Sequence, residues 1–291
     1  MSKILICGAG SIGIYLGTLL HAKKHDVTLF GKRKLQNLGE QLFINDHIYR
    51  VPHRVFILPK NKEYDFIFIT AKLYNLTEII ELIQKNEIKT KILISIQNGL
   101  VDNTLYEKIL QGQKLIILSV FEGFRVLDNQ LIMTPTEMGW KIEDSPSGRA
   151  ASKILLDAGI LCKPEPKLDS FRAEKSIVNC CLNALSAIER KTFDELFSTE
   201  RIRKRIDRIF DECYAIVCKE YELDESEVVK SRMYRVWSQM RHYSSTCQDM
   251  VSGRITEIDF LNGYMIKLGK KYHLSVIENE KIMQDFKRIK S

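Results

Sequence analysis

Apolar and polar residues follow one pattern in the first half of the chain and another in the second half. In the first half, short and almost uninterrupted apolar runs alternate with amphipathic stretches. Runs of this length are typical of parallel strands that are covered on both faces of a sheet. The predicted strands are residues 3–7, 26–30, 66–70, 91–95 and 115–120, with a helix over residues 11–23. Residues 42–55 are predicted to form an extended or hairpin excursion. The first half is therefore predicted to be an α/β, Rossmann-like doubly wound parallel sheet.

The second half shows only helical periodicity. Pro164 and Pro166 lie two residues apart within residues 163–167, and they disfavour a helix, so we predict a linker there. No convincing strand pattern follows. The predicted helices are residues 173–188, 201–221, 225–240 and 256–271. We therefore predict two domains, an α/β domain over residues 1–167 and an all-α domain over residues 168–291.

A glycine-rich turn joins the first strand to the first helix. Its residues are Gly8, Ala9, Gly10, Ser11, Ile12 and Gly13, in the spacing GxGxxG. In a dinucleotide-binding turn the first glycine permits the tight turn, the second lets the pyrophosphate approach the backbone, and the third lets helix and strand pack closely. The helix N-terminus then favours the phosphate charge. The alternative is a glycine turn that binds no ligand.

The residues after the second strand indicate which dinucleotide is bound. An acidic residue usually stands there and binds the ribose 2′-hydroxyl of NAD. This chain has Lys32, Arg33 and Lys34 after Gly31 and no carboxylate. Cations in this place favour a 2′-phosphate, so we predict NADP(H), with Lys32 and Arg33 as its contacts. The alternative is that these side chains are simply solvated.

Two further strand ends carry polar residues. Lys72 follows the strand at residues 66–70, and Asn98 follows the strand at residues 91–95. Ligands of doubly wound sheets bind beyond the carboxyl ends of the strands. Lys72 is placed to reach the diphosphate or ribose of the cofactor, and Asn98 to bridge the nicotinamide ribose and a substrate. Each is equally compatible with an ordinary turn residue.

The helix predicted at residues 173–188 carries a polar stripe on an otherwise apolar surface. Lys175, Asn179 and Asn183 recur every four residues and therefore share one face. A helix that is apolar over most of its girth is buried, and polar groups on it need partners. A pocket with a polar ligand would supply them. The alternative is that the stripe is the exposed side of an amphipathic helix.

A second motif runs from Ser244 to Gly263. Thr256 and Asp259 resemble a capping box, which would place Glu257 in the first turn of the helix predicted at residues 256–271. Taken alone, Glu257 is more simply interpreted as a carboxylate that interacts favourably with the helix dipole.

Taken together, these motifs resemble the ketopantoate reductase family (2-dehydropantoate 2-reductases) over nearly the whole chain. They are GxGxxG, QNG, EKxxxNxxxN and SSxxQDxxxGRxTEIDxLNG, in that order. The resemblance implies a Rossmann domain, a helical domain like the C-terminal domain of 6-phosphogluconate dehydrogenase, and an active site between them. It also implies NADPH-dependent reduction of 2-dehydropantoate to pantoate, a step towards coenzyme A.

The resemblance assigns a role to each motif residue. Lys175 would be the general acid, and Glu257 would contact the cofactor ribose or a substrate hydroxyl and pair electrostatically with Lys175. Asn179, Asn183 and Ser245 would hold substrate oxygens. Asn98 would contact both cofactor and substrate.

The chain departs from the family at two positions near the substrate. Asparagines that are frequent in the family are matched here by about Phe193 and His242, and we expect the histidine to be a rim or packing residue. These changes keep open a reductase of another small 2-oxo acid. A noncatalytic NADP(H)-binding sensor is the third alternative, against which Lys175, the asparagine stripe and Glu257 argue together.

The composition of the chain limits which partners, metal or disulfide sites and cellular compartment are expected. The net charge is +7, but the lysines and arginines are scattered and mixed with acidic residues. The densest basic run, residues 201–205, is followed at once by Ile206, Asp207 and Arg208, so we expect no nucleic-acid partner. Seven cysteines without a CxxC pair indicate neither a disulfide framework nor a metal site. No apolar stretch is long enough to span a membrane, and we expect a cytoplasmic protein. Helical domains of this kind often pair, so a homodimer is the expected assembly.

Overall fold

The computed structural model describes residues 1–31, 39–44, 46–100, 103–110, 112, 115–127 and 129–290. The chain divides into two compact units. The first comprises Met1–Asn98 and Asp102–Leu168, and the second comprises Gly99–Val101 and Asp169–Ser291. The main division falls one residue after the expected boundary at residue 167.

The described part of the first unit contains both strands and helices. The strands are β1 (Lys3–Cys7), β2 (Asp26–Phe30), β3 (Gln41–Ile44), β4 (His47–Arg50), β5 (His53–Val55), β6 (Glu63–Ile69), β7 (Lys89–Ser95), β8 (Leu115–Val120), β9 (Gly123–Leu127), β10 (Gln130–Thr134), β11 (Trp140–Glu143) and β12 (Cys162–Glu165). The helices are α1 (Ser11–Ala22), α2 (Leu76–Lys85) and α3 (Pro146–Asp157). All five strands predicted from apolar runs are confirmed.

Eight of the described strands form the main sheet, in the order β12-β11-β8-β7-β6-β1-β2-β5. The segment from β5 to β8 is parallel throughout and has the strand order of a dinucleotide-binding fold. The order reverses between β1 and β6, which are direct neighbours. Strand β11 adds antiparallel to β8. The predicted doubly wound α/β fold is confirmed, and the switch point lies where β1 and β6 end.

The predicted linker at residues 163–167 is wrong in part. Cys162–Glu165 forms the edge strand β12, which pairs in parallel with β11. Proline is tolerated in an edge strand because only one side of the strand must supply ladder hydrogen bonds. The two prolines were thus a poor guide to a break in the structure.

A smaller sheet has the order β4-β3-β10-β9. Strands β3 and β4 pair antiparallel, which confirms the hairpin expected within residues 42–55. The pair β9 and β10 forms a second antiparallel ladder, which the sequence pattern did not indicate.

The described part of the second unit is helical. Its helices are α4 (Leu168–Glu189), α5 (Phe193–Ser198), α6 (Glu200–Val217), α7 (Ser226–Trp237), α8 (Ser245–Val251), α9 (Asn262–Lys271) and α10 (Ile277–Lys290). Its apolar core includes the fully buried Ile177, Leu182, Phe210 and Met265, and Leu100 packs into the same core.

The helix predicted over residues 256–271 begins later than expected. Helix α9 starts at Asn262, and only a short 3-10 turn, Ile258–Phe260, precedes it. Glu257 therefore does not lie in the first turn of an α-helix. The backbone of Leu261, with φ of −104° and ψ of −89°, lies outside the helical region, so α9 does not continue back to Glu257. Thr256, Glu257 and Ile258 are each at most 5% exposed.

Candidate functional site

The glycine turn at the end of β1 is held in one conformation by its neighbours. Gly8 has φ of 131°, and a Cβ added there would lie 2.4 Å from the Ala71 nitrogen. A Cβ at Gly13 would lie 1.9 Å from the Gly8 carbonyl oxygen. Both positions therefore require glycine, one for the turn and the other for close packing of α1.

Gly10 differs from the other two glycines. A Cβ there would meet no atom of the described residues within 4 Å, and Gly10 is exposed. Gly10 is also the N-cap of α1, and no acidic residue stands in the first turn of that helix. The first backbone N–H groups of a helix have no partner within the helix and favour an anion. The turn thus fits a phosphate group in both shape and charge.

Thr70 joins the ends of β1 and β6 at the switch point. Its hydroxyl donates to the Gly8 carbonyl oxygen at 2.7 Å, and the backbone N–H groups of Thr70 and Ala71 donate to the Cys7 carbonyl oxygen at 2.9 and 3.0 Å. Lys72 follows directly and is half-buried. The sequence could have indicated a role for Thr70, because this residue ends the strand predicted at residues 66–70 and ligands of doubly wound sheets bind at strand ends.

The end of β2 lies against the glycine turn. The Gly8 N–H donates to the Phe30 carbonyl oxygen at 2.9 Å, and a Cβ at Gly31 would lie 2.5 Å from the Ala9 Cβ. Lys32 and Arg33, the residues predicted to contact the 2′-phosphate, lie outside the described residues. Up to Gly31, the described part of this strand end carries no carboxylate.

The polar stripe of α4 is buried. Asn179 and Asn183 are each 7% exposed and Lys175 is half-buried, so the stripe is not the solvated side of an amphipathic helix. The Asn179 Nδ2 makes no hydrogen bond with any described residue. An unpaired buried donor costs about 1–3 kcal/mol. This cost is removed when a ligand oxygen accepts from the amide.

The serine pair divides into a buried and an exposed hydroxyl. Ser244 caps α8 by accepting from the Cys247 N–H at 3.0 Å, and its hydroxyl donates to the Asn183 carbonyl oxygen at 2.9 Å. Its own N–H donates to the Ser186 hydroxyl at 3.1 Å. Ser245 is the first residue of α8 and is exposed. Ser244 therefore fixes α8 to α4, and the hydroxyl of Ser245 stays accessible.

The rest of the second motif also packs beside α4. Glu257 is 4% exposed. Asn262, which is 1% exposed, donates from Nδ2 to the Cys180 carbonyl oxygen at 3.0 Å and to the Asn279 Oδ1 at 2.9 Å. Asn262 was part of the motif but had no predicted role. It holds the backbone of α4 one residue from Asn179.

Phe193 and His242 pack against each other. Their ring centroids are 5.0 Å apart, and Trp237 lies 5.5 Å from Phe193 on an edge-to-face contact. Burial lowers the pKa of His242 below its ordinary value, and Asp194 opposes that shift. Phe193 and His242 therefore belong to an aromatic cluster with Trp237. Asparagines are frequent at about these two positions in the family that the chain resembles.

The basic run of α6 carries ion pairs. Arg201, Lys204, Arg205 and Arg208 lie 2.6–3.5 Å from Glu189, Glu200, Asp285 and Glu278, respectively. Among the described residues, no group of three or more His, Cys, Asp or Glu side chains is arranged to hold a metal ion. No helix in the same part of the chain is long and apolar enough to cross a membrane.

Two family models cover most of the sequence. The model described as ketopantoate reductase PanE/ApbA matches residues 4–139, and the model of the ketopantoate reductase PanE/ApbA C-terminal region matches residues 167–290. The chain belongs to the ketopantoate reductase family. It is accordingly an oxidoreductase of that family.

Individual relatives agree with this assignment. A 2-dehydropantoate 2-reductase of Aquifex aeolicus is 25% identical, with 96% of this chain and 94% of that protein aligned. A PanE/ApbA family ketopantoate reductase from Ralstonia eutropha has the same fold, with a TM-score of 0.87, 23% identity and coverage of 99% and 98%. A D-mandelate dehydrogenase bound to NADH and anilino(oxo)acetate also shares the fold, with a TM-score of 0.85, 21% identity and coverage of 99% and 98%.

Proposed function

We propose that this ketopantoate reductase family member reduces a 2-oxo acid with NADPH, and that 2-dehydropantoate is its substrate and pantoate its product. The observation that carries the proposal is the buried stripe of α4, where a lysine and two asparagines share one face of a core helix. Membership of the family supports the same reaction.

NADP(H) fits the residues of the first unit. The turn from Gly8 to Gly13, including Ala9, Ser11 and Ile12, would hold the pyrophosphate at the N-terminus of α1, where Gly10 is exposed. Lys32 and Arg33 would hold the 2′-phosphate, Lys72 the diphosphate or ribose, and Asn98 the nicotinamide ribose. When bound, the cofactor supplies the hydride that adds to the 2-oxo carbon.

The second unit supplies the proton. As the hydride adds, the carbonyl oxygen gains negative charge, and the Lys175 ammonium stabilises this charge and donates a proton from Nζ to that oxygen. Asn179, Asn183 and Ser245 would orient the substrate by binding its other oxygens. Glu257 would pair electrostatically with Lys175 and contact the cofactor ribose or a substrate hydroxyl.

A second candidate substrate is a 2-oxo acid with an apolar side chain. The cluster of Phe193, His242 and Trp237 favours it, because aromatic rings replace potential amide partners of a substrate hydroxyl. The related fold of a D-mandelate dehydrogenase, whose complex contains NADH and anilino(oxo)acetate, supports the same alternative.

A substrate panel tests these proposals directly. The purified protein is mixed with NADPH or NADH and with 2-dehydropantoate or other 2-oxo acids, and cofactor oxidation is followed by near-ultraviolet absorbance. We expect the highest kcat/KM with NADPH and 2-dehydropantoate. Oxidation only with apolar 2-oxo acids would favour the second candidate. Binding of NADPH with no oxidation by any acid would leave a sensor role and refute the reductase.

The assembly is proposed to be a homodimer. A ketopantoate reductase from Staphylococcus aureus that is described as dimeric shares the fold, with a TM-score of 0.80 and 16% identity. Size-exclusion chromatography with light scattering should give twice the mass of the chain, and a monomer mass would contradict the proposal.

A further inference from the structure

Three buried polar side chains form a hydrogen-bonded cluster at the carboxyl ends of β6 and β7. They are Ser95, Gln97 and Tyr106, with 3%, 8% and 0% exposure, and we call them the Gln97 network. The hydroxyl groups of Ser95 and Tyr106 lie 2.8 Å apart, and both donate to the Gln97 Oε1. The Tyr106 hydroxyl is therefore buried in the protein interior and is hydrogen-bonded to the Gln97 side-chain amide.

The other end of the Gln97 amide fixes its orientation. Nε2 donates to the Ala71 carbonyl oxygen at 3.2 Å and to the Ile69 carbonyl oxygen at 3.4 Å. A flipped amide would place Oε1 against two carbonyl oxygens, none of which can donate. The two hydroxyls and two carbonyls therefore define one position for the Gln97 side chain.

The backbone of Ala71 connects this network to the glycine turn. Its N–H donates to the Cys7 carbonyl oxygen at 3.0 Å, and the position of a Gly8 Cβ lies only 2.4 Å from the same nitrogen. Lys72 follows Ala71, and Asn98 follows Gln97 in the chain. The network therefore supports three backbone segments that the proposed function places beside the cofactor.

We infer that Tyr106 is a positioning residue for the dinucleotide site, acting through Gln97 on the Ala71–Lys72 segment and on Asn98. The inference rests on the proposed function and adds a residue that does not itself touch the cofactor. Buried polar networks hold a unique arrangement when every member is satisfied. On this inference, removal of the Tyr106 hydroxyl loosens the segments that the proposed function places beside the cofactor.

The test compares Tyr106→Phe with a matched control, Tyr64→Phe. Tyr64 is also buried, at 7% exposure, and lies near the amino end of β6, far along the strand from the switch point. Each variant loses one buried tyrosine hydroxyl from the first unit, Tyr64 from β6 and Tyr106 from the 3-10 turn Asn103–Lys108. We expect Tyr106→Phe to raise the Kd and KM for NADPH by about five-fold, the effect of one lost hydrogen bond, with kcat at saturating NADPH nearly unchanged. Tyr64→Phe should leave both constants at the wild-type value.

A second variant covers the case in which Tyr106→Phe fails to fold. Gln97→Glu keeps the side-chain shape and still accepts from both hydroxyls, but it turns a carboxylate towards the Ile69 and Ala71 carbonyls. We expect a larger increase in the NADPH Kd than for Tyr106→Phe. Dissociation constants are measured by NADPH fluorescence titration, and thermal unfolding is recorded for every variant.

The outcomes separate the two proposals. If the wild-type protein binds neither NADPH nor NADH, the proposed function fails and the inference fails with it. If the wild type binds NADPH, but Tyr106→Phe and Gln97→Glu bind it equally well while only their melting temperatures fall, the network is structural alone. In that case the positioning role is refuted and the proposed function stands.

Discussion

At the scale of single residues, α4 carries buried polar groups that have hydrogen-bond partners and one that has none among the described residues. Ser186 and the Asn183 carbonyl have partners in the Ser244 segment, whereas the Asn179 amide nitrogen has none among the described residues. An asparagine in a helix interior lowers helix stability, and its burial without a partner adds a further cost. The proposed function offsets this cost, because a bound substrate oxygen would accept from the Asn179 amide.

Lys175 is the residue with the largest expected effect on turnover. Replacement of Lys175 by alanine removes the proposed proton donor, and kcat should fall by roughly 10²–10⁴-fold, while NADPH still binds. Steady-state kinetics and a fluorescence titration measure the two quantities. Lys219→Ala, on an exposed position, serves as the control. Unchanged turnover in Lys175→Ala would exclude the general-acid role.

His242 should make stability depend on pH. Burial lowers its pKa from the ordinary value of 6.5, so below pH 6.5 the unfolded chain binds this proton more readily than the folded chain. The free energy of unfolding should therefore decrease as the pH falls below 6.5. Urea unfolding of wild type and His242→Asn on both sides of this pH measures the effect. His25, whose pKa is also lowered, titrates in both proteins, so the difference between them isolates His242. Equal pH slopes would contradict the prediction.

At the scale of elements, one carboxylate joins α6 to the start of α10. Glu212 accepts from the backbone N–H groups of Glu278 and Asn279 and from the Asn279 Nδ2, each at 2.9 Å. Asn279 in turn contacts Asn262, which binds the backbone of α4. The four helices α4, α6, α9 and α10 are thus held through a single chain of hydrogen bonds.

Loss of Glu212 should destabilise the second unit. In Glu212→Ala the donors at the start of α10 lose a charged acceptor, and we expect the free energy of unfolding to fall by about 1.5–3 kcal/mol. Urea denaturation measures this change. Glu227→Ala, an exposed residue of α7, should change stability far less. A Glu212→Ala variant as stable as this control would show that the contact is not stabilising.

Strands and helices were predicted correctly where one pattern of apolar residues extended over the whole segment. The strands β1, β2 and β8 have the predicted bounds because each is an apolar run buried on both faces. The strands β9 to β12 were missed because half-buried or edge strands carry mixed residues. The start of α9 was misplaced because a capping pattern at Thr256 does not reveal that the backbone leaves the helical region at Leu261.

At the scale of the whole molecule, binding of a dinucleotide should be visible as a gain in stability. A ligand that binds only the folded state stabilises it by about 2.7 kcal/mol at 100 times its Kd. At equal concentrations NADPH should therefore raise the melting temperature more than NADH does, if Lys32 and Arg33 bind the 2′-phosphate as proposed. The double variant Lys32→Ala with Arg33→Ala should remove this difference. Equal shifts with both cofactors in the wild type would contradict NADPH preference.

The sequence alone was sufficient for the glycine turn, the parallel strands, the change to helices and the shared face of Lys175, Asn179 and Asn183. These features depend on local periodicity and on residue types whose conformational needs are local. The tertiary structure decided that the stripe is buried, that Ser244 is fixed while Ser245 is exposed, and that Gln97, Tyr106 and Ala71 are joined. Those properties depend on side chains from distant segments, because burial and hydrogen-bond partners exist only once the chain has folded.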